Sequence, residues 1–200
     1  MVSAVIYLEG GGDSKDLHVR CREGFRKLLA KTLPDSKMPR LVACGGRGDA
    51  LARFQDKLKK ACDDDFIGLL LDSEVPLTDI DAAWTHLQIF DGWIKPRDAN
   101  DRQVLFMTTC METWIVADIA TLRTHYAQEF RERALLPLRN LEERSREEIQ
   151  SALQRATRDC TNAYTKGKRS FTVLAELNPA VLATHLPSFA RMKAILQAEL

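Results

Sequence analysis

The chain has 200 residues, 45% hydrophobic and 28% charged, with a formal net charge of +1 at pH 7. That length accommodates one domain with a sizeable core, or one core plus a helical appendage. A near-neutral balance excludes a chain that binds nucleic acid through overall charge, so any such role has to come from local charge. No stretch approaches eighteen uninterrupted apolar residues, so no transmembrane helix is expected. Cys21, Cys44, Cys62, Cys110 and Cys160 are scattered, odd in number and free of C-x-x-C spacing, which predicts reduced thiols in a cytoplasmic protein and no zinc site. The opening MVSAVIYLEG has neither a basic segment nor a small-residue cleavage site, so no secretory leader is expected.

Residues 2–8 form a short apolar run with β-branched and aromatic members and read as a buried strand. It stops at Glu9-Gly10-Gly11-Gly12-Asp13-Ser14, where Asp13 or Ser14 offers an N-cap for a helix over residues 15–32. Leu41–Cys44 is a second strand, followed by the turn Gly45-Gly46-Arg47-Gly48-Asp49. A helix with apolar spacing Leu51, Phe54, Leu58 and Ala61 comes next. Phe66–Leu71 is apolar without alternation, as expected of a parallel strand covered on both faces, and ends in Asp72-Ser73-Glu74. A helix near residues 79–89, a polar loop around Pro96, a fourth strand over Gln103–Met107 and a helix from Met111 to about His125 follow. Residues 127–160 are charged and helix-favouring, and residues 178–200 end in one or two helices.

The strand–helix alternation predicts an α/β fold: a mostly parallel sheet of about four strands with helices on both faces, plus C-terminal helices. Ligand chemistry in such sheets collects beyond the carboxyl ends of the strands. Glu9 follows the first strand there, and Asp72 and Glu74 follow the third. Residues i and i+2 of an extended chain share a face, so Asp72 and Glu74 can bind one hard cation together. Mg²⁺ suits a sparse carboxylate site, because it keeps several waters and takes other ligands from phosphate. A second metal could clamp the attacking and leaving oxygens of a displacement. Each acid taken singly has a plainer role, beginning a loop or capping a helix.

An apolar strand, a Glu-Gly turn, a helix and a later apolar strand ending in D-x-E resemble a Toprim domain. More closely, the blocks E-G-G-G-D-S-K (9–15), R-E-G-F (22–25), C-G-G-R-G-D-A (44–50), L-L-D-S-E (70–74), M-E-T-W-I-V-A-D (111–118) and Y-T-K-G-K-R-S-F (164–171) are similar to a bacterial family of stand-alone Toprim-like proteins. These are often encoded beside AAA-type ATPases in arrangements resembling anti-phage defence systems, and are distantly related to the overcoming-lysogenization-defect nucleases. The resemblance implies that Glu9 acts in proton transfer or binds metal, and that Asp72 and Glu74 are the D-x-D metal pair, with Glu standing in the second place. It also implies a Toprim-like core over residues 1–126 and a helical extension over 127–200 packing on it.

Glu112 follows the fourth strand, and in Toprim-type nucleases an acid there can join the metal; the helix dipole alone would equally favour an acid at that place. Between Arg155 and Arg169 stand five basic residues and one acid. Lys166, the catalytic candidate of that run, and Arg169 could neutralise phosphate charge in the substrate or the transition state, whereas the plainer role of such a run is a solvated face. Arg47 is a second phosphate-contact candidate, although G-G-R-G-D has neither the Walker A lysine nor G-x-G-x-x-G spacing. Met111, Trp114 and Ile115 have core spacing. The histidines are dispersed, and Ser14 and Ser73 have no histidine partner in view.

The expected function is a Mg²⁺-dependent nuclease, with Mn²⁺ as a substitute, cutting DNA or RNA in concert with an AAA-type ATPase. The alternative is a catalytically silent Toprim-like subunit that docks on the ATPase. A primase or strand-passing enzyme is disfavoured, since no zinc-binding segment or additional domain is recognisable.

Overall fold

A computed structural model describes residues 4–62 and 65–200. Strand β1 is Ala4–Leu8; residues 2 and 3 of the expected strand lie outside the described residues. Helix α1 is Lys15–Leu29, and the Ser14 hydroxyl accepts the Leu17 amide at 3.2 Å to cap it. Strand β2 (Arg40–Ala43), helix α2 (Arg47–Leu58) and strand β3 (Phe66–Asp72) follow. Then come helix α3 (Ala83–Asp91), strand β4 (Val104–Met107) and helices α4 (Met111–Ala117) and α5 (Ile119–Tyr126). The C-terminal helices are α6 (Arg146–Thr157), α7 (Lys168–Glu176), α8 (Pro179–His185) and α9 (Pro187–Glu199).

All pairings among the four strands are parallel, in the order β2-β1-β3-β4. Side-chain alternation sorts the sheet into two faces. Ile6, Leu8, Leu70, Leu105 and Met107 pack with α1, α4 and the C-terminal helices. Val5, Tyr7, Leu69, Leu71 and Phe106 pack with α2 and α3. Every residue of β3 is buried, as its unbroken apolar run predicts. The fold is α/β with helices on both faces of a four-stranded parallel sheet, as expected.

Several boundaries differ from expectation for local reasons. Asp79 accepts the Asp81 amide at 2.8 Å, closing a turn where a helix was expected to start, so α3 begins only at Ala83. Arg47 is not in a turn but is the first residue of α2. The helix expected from Met111 breaks at Asp118, whose carboxylate accepts the Thr121 amide (3.1 Å) and hydroxyl (2.7 Å) and the Asn178 amide (2.8 Å). Residues 127–145 hold only two 3-10 turns, with positive φ at Ala127, Glu129 and Asn140 and Pro137 between the turns.

Helix α7 was not expected, because its basic start hides an apolar face of Phe171, Val173 and Leu174. Burying each such side chain contributes about 1.5–3 kcal/mol. Gly24 admits α7 against α1: a Cβ there would stand 2.8 Å from the Phe171 carbonyl oxygen. Lys31 Nζ donates to the carbonyls of Ala175, Glu176 and Leu177 at 3.0, 2.8 and 2.7 Å, satisfying acceptors that the end of α7 leaves open. Among the described residues, no helix is long and apolar enough to cross a membrane, and all five cysteines are free.

Candidate functional site

The chain passes from β1 out to the sheet edge at β2, then returns across β1 to form β3 on its other side. The order therefore reverses between β1 and β3, and the crevice beyond that reversal is where parallel sheets bind ligands. Glu9 leaves β1 there and Asp72 ends β3. The register Leu8↔Leu70 continues as the Glu9 amide donates to the Leu70 carbonyl at 2.8 Å. The Asp72 amide in turn donates to Glu9 Oε2 at 3.2 Å.

Glu74 completes the cluster by a route the sequence did not show. Beyond Asp72 the chain stops being an extended strand, and Glu74 adopts φ 67°, a left-handed conformation that costs a non-glycine residue on the order of 1 kcal/mol. The Ser73 amide donates to Met107 O at 3.2 Å and the Glu74 amide to Thr109 O at 2.9 Å. The Ser73 hydroxyl donates to Val75 O at 2.7 Å, and buried His86 places Nε2 2.9 Å from Ser73 O. Ligand oxygens of Glu9, Asp72 and Glu74 consequently lie within 4.8 Å of one another.

Two arginines sit among these acids. Arg47 grips Asp91 with Nε at 3.0 Å and Nη2 at 2.6 Å, while its Nη1 donates to the Asp72 carbonyl at 2.6 Å and to Glu9 at 3.3 Å. Its guanidinium also lies 5.3 Å from the centre of the Trp93 ring. Arg146, at the start of α6, donates to Glu74 in a short contact and has Nη2 3.4 Å from Asp72 Oδ2. Sequence reasoning assigned no role to Arg146, Asp91 or Tyr164. The Ser145-x-x-Glu148 capping box is visible in the sequence and marks the helix start that carries Arg146, but nothing local says which cluster it faces.

Glu112 opens α4 and is 1% exposed. It does not belong to the group meeting within 4.8 Å; it accepts the Tyr164 hydroxyl at 2.6 Å. Both Glu112 and Lys166 line a cleft of about 320 Å³ together with Glu9, Asp72 and Arg146. Arg169 is exposed, outside that lining, and donates to Ala163 O at 2.8 Å. The three acids, Glu112, Arg47 and Lys166 are thus gathered around one region, and Arg169 is turned to a backbone carbonyl.

Burial pushes the Asp72 carboxyl well above its ordinary range, Glu9, Glu112 and Glu74 add to the rise, and Arg146 opposes it. Burial also raises Glu9, against the pull of Arg47 and with the push of Glu74. For Glu112, burial acts upward but is outweighed by the Tyr164 hydroxyl, a backbone hydrogen bond and Lys166, so its carboxyl titrates below the ordinary value. The acids Glu9, Asp72, Glu74, Asp91 and Glu112 outnumber the cations Arg47, Arg146 and Lys166 around them. Such a site is short of positive charge and fits a hard divalent cation on its oxygen donors.

No curated protein and no solved structure matches the chain. A family model described as a domain of unknown function (DUF4276) matches residues 8–197. Since that span runs from the last residue of β1 into α9 and takes in every residue of the acidic site, the chain belongs to the DUF4276 family.

Proposed function

We propose that this protein is a divalent-cation-dependent nuclease, hydrolysing DNA or RNA phosphodiesters with Mg²⁺, or Mn²⁺ in its place, held by Glu9, Asp72 and Glu74. The observation that carries the reading is the meeting of three carboxylates from two adjacent strand ends, at the reversal of strand order, with too few cations to balance them. The Toprim-like sequence blocks support the same residues. A cation bound there would supply Lewis-acid polarisation of the phosphate and a more acidic water.

The chain's own groups divide the remaining work. Asp72 is fixed by the Met111 amide, 2.9 Å from Oδ1, so it presents its other oxygen in a set direction. Glu9, with its raised proton affinity, is suited to take a proton from an attacking water. Glu112, held as a carboxylate by Tyr164, keeps a fixed negative charge at the floor of the cleft. Exposed Lys166, on the cleft rim, offers a mobile positive charge to a phosphate oxygen.

The test is cleavage of plasmid, single-stranded DNA and tRNA with Mg²⁺ or Mn²⁺, comparing wild type with Glu9→Ala, Asp72→Ala and Glu74→Ala. Cleavage in the wild type and its loss, by at least a hundredfold, in each variant is expected. Wild-type rates in all three folded variants would end the assignment.

A second reading rests on a different observation. Ile89, Phe90 and Ile94 are 70%, 56% and 81% exposed, an apolar group of the kind that marks a protein contact. It supports a protein contact; the resemblance of the sequence blocks to proteins encoded beside AAA-type ATPases makes such an ATPase the partner of this second reading, in which the chain is a catalytically silent subunit in anti-phage defence. Co-elution of the two proteins in size-exclusion chromatography, lost in Ile89→Ser/Ile94→Ser, is its expected signature.

A further inference from the structure

The two arginines of the site are held in different ways. Arg47 has partners that do not depend on the acid cluster: the Asp91 carboxylate, the Asp72 backbone carbonyl and the Trp93 ring. Arg146 has none of that kind. Its side chain is bound by the carboxylates of Glu74 and Asp72, and among the described residues it makes no other hydrogen bond or ion pair. Its backbone, in contrast, is firmly placed. Ser145 and Glu148 close a capping box at the start of α6, and Ile149, Ala152 and Leu153 bury the helix. The side chain is 26% exposed and lines the cleft, so it has room to move once its partners are taken.

A divalent cation entering between Glu9, Asp72 and Glu74 competes with Arg146 for two of the three carboxylates, those of Asp72 and Glu74. We propose that Arg146 is a displaceable internal cation: it holds Asp72 and Glu74 together in the metal-free protein, leaves them when a divalent cation binds, and then takes the substrate phosphate. The inference rests on the metal-dependent nuclease reading and adds to it a second residue, beside Lys166, that meets the phosphate. A guanidinium freed from a carboxylate presents the same planar fork to phosphate oxygens. Arg47, locked by Asp91, stays where it is.

The experiment measures Mn²⁺ affinity by isothermal titration calorimetry on wild type, Arg146→Gln, Arg146→Lys and Asp72→Ala, with thermal melts to establish folding. Without its internal competitor, Arg146→Gln should bind Mn²⁺ about tenfold more tightly, about 1.4 kcal/mol. Arg146→Lys, still charged, should stay within a few-fold of wild type. In cleavage assays at saturating Mn²⁺, Arg146→Gln should raise KM for nucleic acid at least tenfold, and Arg146→Lys should recover part of that loss. Unchanged or weaker Mn²⁺ binding by folded Arg146→Gln, with binding still abolished by Asp72→Ala, overturns the displacement and leaves the metal site standing. No Mn²⁺ binding by the wild type overturns the metal reading and this inference with it.

Discussion

Replacing Asp72 with Asn should stabilise the protein without metal while abolishing its response to metal. The side chain is buried, and the Glu9 and Glu74 oxygens lie up to 4.8 Å away. At an effective dielectric of about 20, each repels a charge on Asp72 by roughly 3 kcal/mol, and Arg146 at 3.4 Å attracts it by roughly 5 kcal/mol. Burial, the largest cause, disfavours the charge, repulsion from the two acids slightly exceeds the attraction, Glu112 adds to the repulsion, and solvent at half-exposed Glu74 trims it. The net cost of the Asp72 charge is on the order of 1–2 kcal/mol, within the gain commonly seen when a functional site is neutralised. Asn keeps an oxygen for the Met111 amide, so the local hydrogen bond survives. For a chain of this size the melting temperature should rise by about 2–8 °C in EDTA at neutral pH. Millimolar Mn²⁺ should then raise the wild type and leave Asp72→Asn unmoved, reversing the gap. A variant that melts below wild type in EDTA would refute the claim that this carboxylate is held against its electrostatic preference.

Gly45→Ala should destabilise the fold by about 1–3 kcal/mol, because φ there is 77° and the new Cβ would stand 2.7 Å from Gly12 O; a melt reads it directly. Glu142→Gln should have a pH-dependent effect. Burial raises the Glu142 carboxyl above its ordinary 4.5, although the Ser188 hydroxyl and amide pull the other way. The folded state therefore binds the proton more tightly than the unfolded chain. Its contribution is fully present below the ordinary value and is lost as pH rises through the raised one. Glu142→Gln should melt a few degrees above wild type at pH 7.5, and the difference should close below about pH 4; a gap that persists in acid would contradict the cause given.

Most of the sheet was legible because its strands announce themselves locally. Phe66–Leu71 is a short unbroken apolar run, which suits a strand covered on both faces, and all of β3 is buried. Glu9 and Asp72 were legible for the same reason, since each abruptly ends such a run. Helix α7 was hidden because its amphipathic face begins inside a basic segment, and what fixes it is distant: Gly24 and Lys31, both on the α1 side of the chain. The break at Asp118 was equally non-local, as Asn178 supplies one of the amides that hold its carboxylate.

The site divides along the same line, and the division bears on how it works. Glu9, Asp72 and Glu74 could be found from strand ends, although the turn that brings Glu74 inward required His86 and the end of β4. Their counter-ions could not be found that way. Arg146 lies 72 residues from Glu74 along the chain, and the Asp91 that anchors Arg47 lies 44 residues from it. A bare acidic cluster of this kind would repel itself open, so the arginines are what let the carboxylates stand together in the folded chain before any cation arrives. One of them is locked by partners outside the cluster and the other by the cluster alone. On the proposed metal-dependent reading, that asymmetry would give a cation one counter-ion to displace and leave one in place to keep the site's shape while it did so.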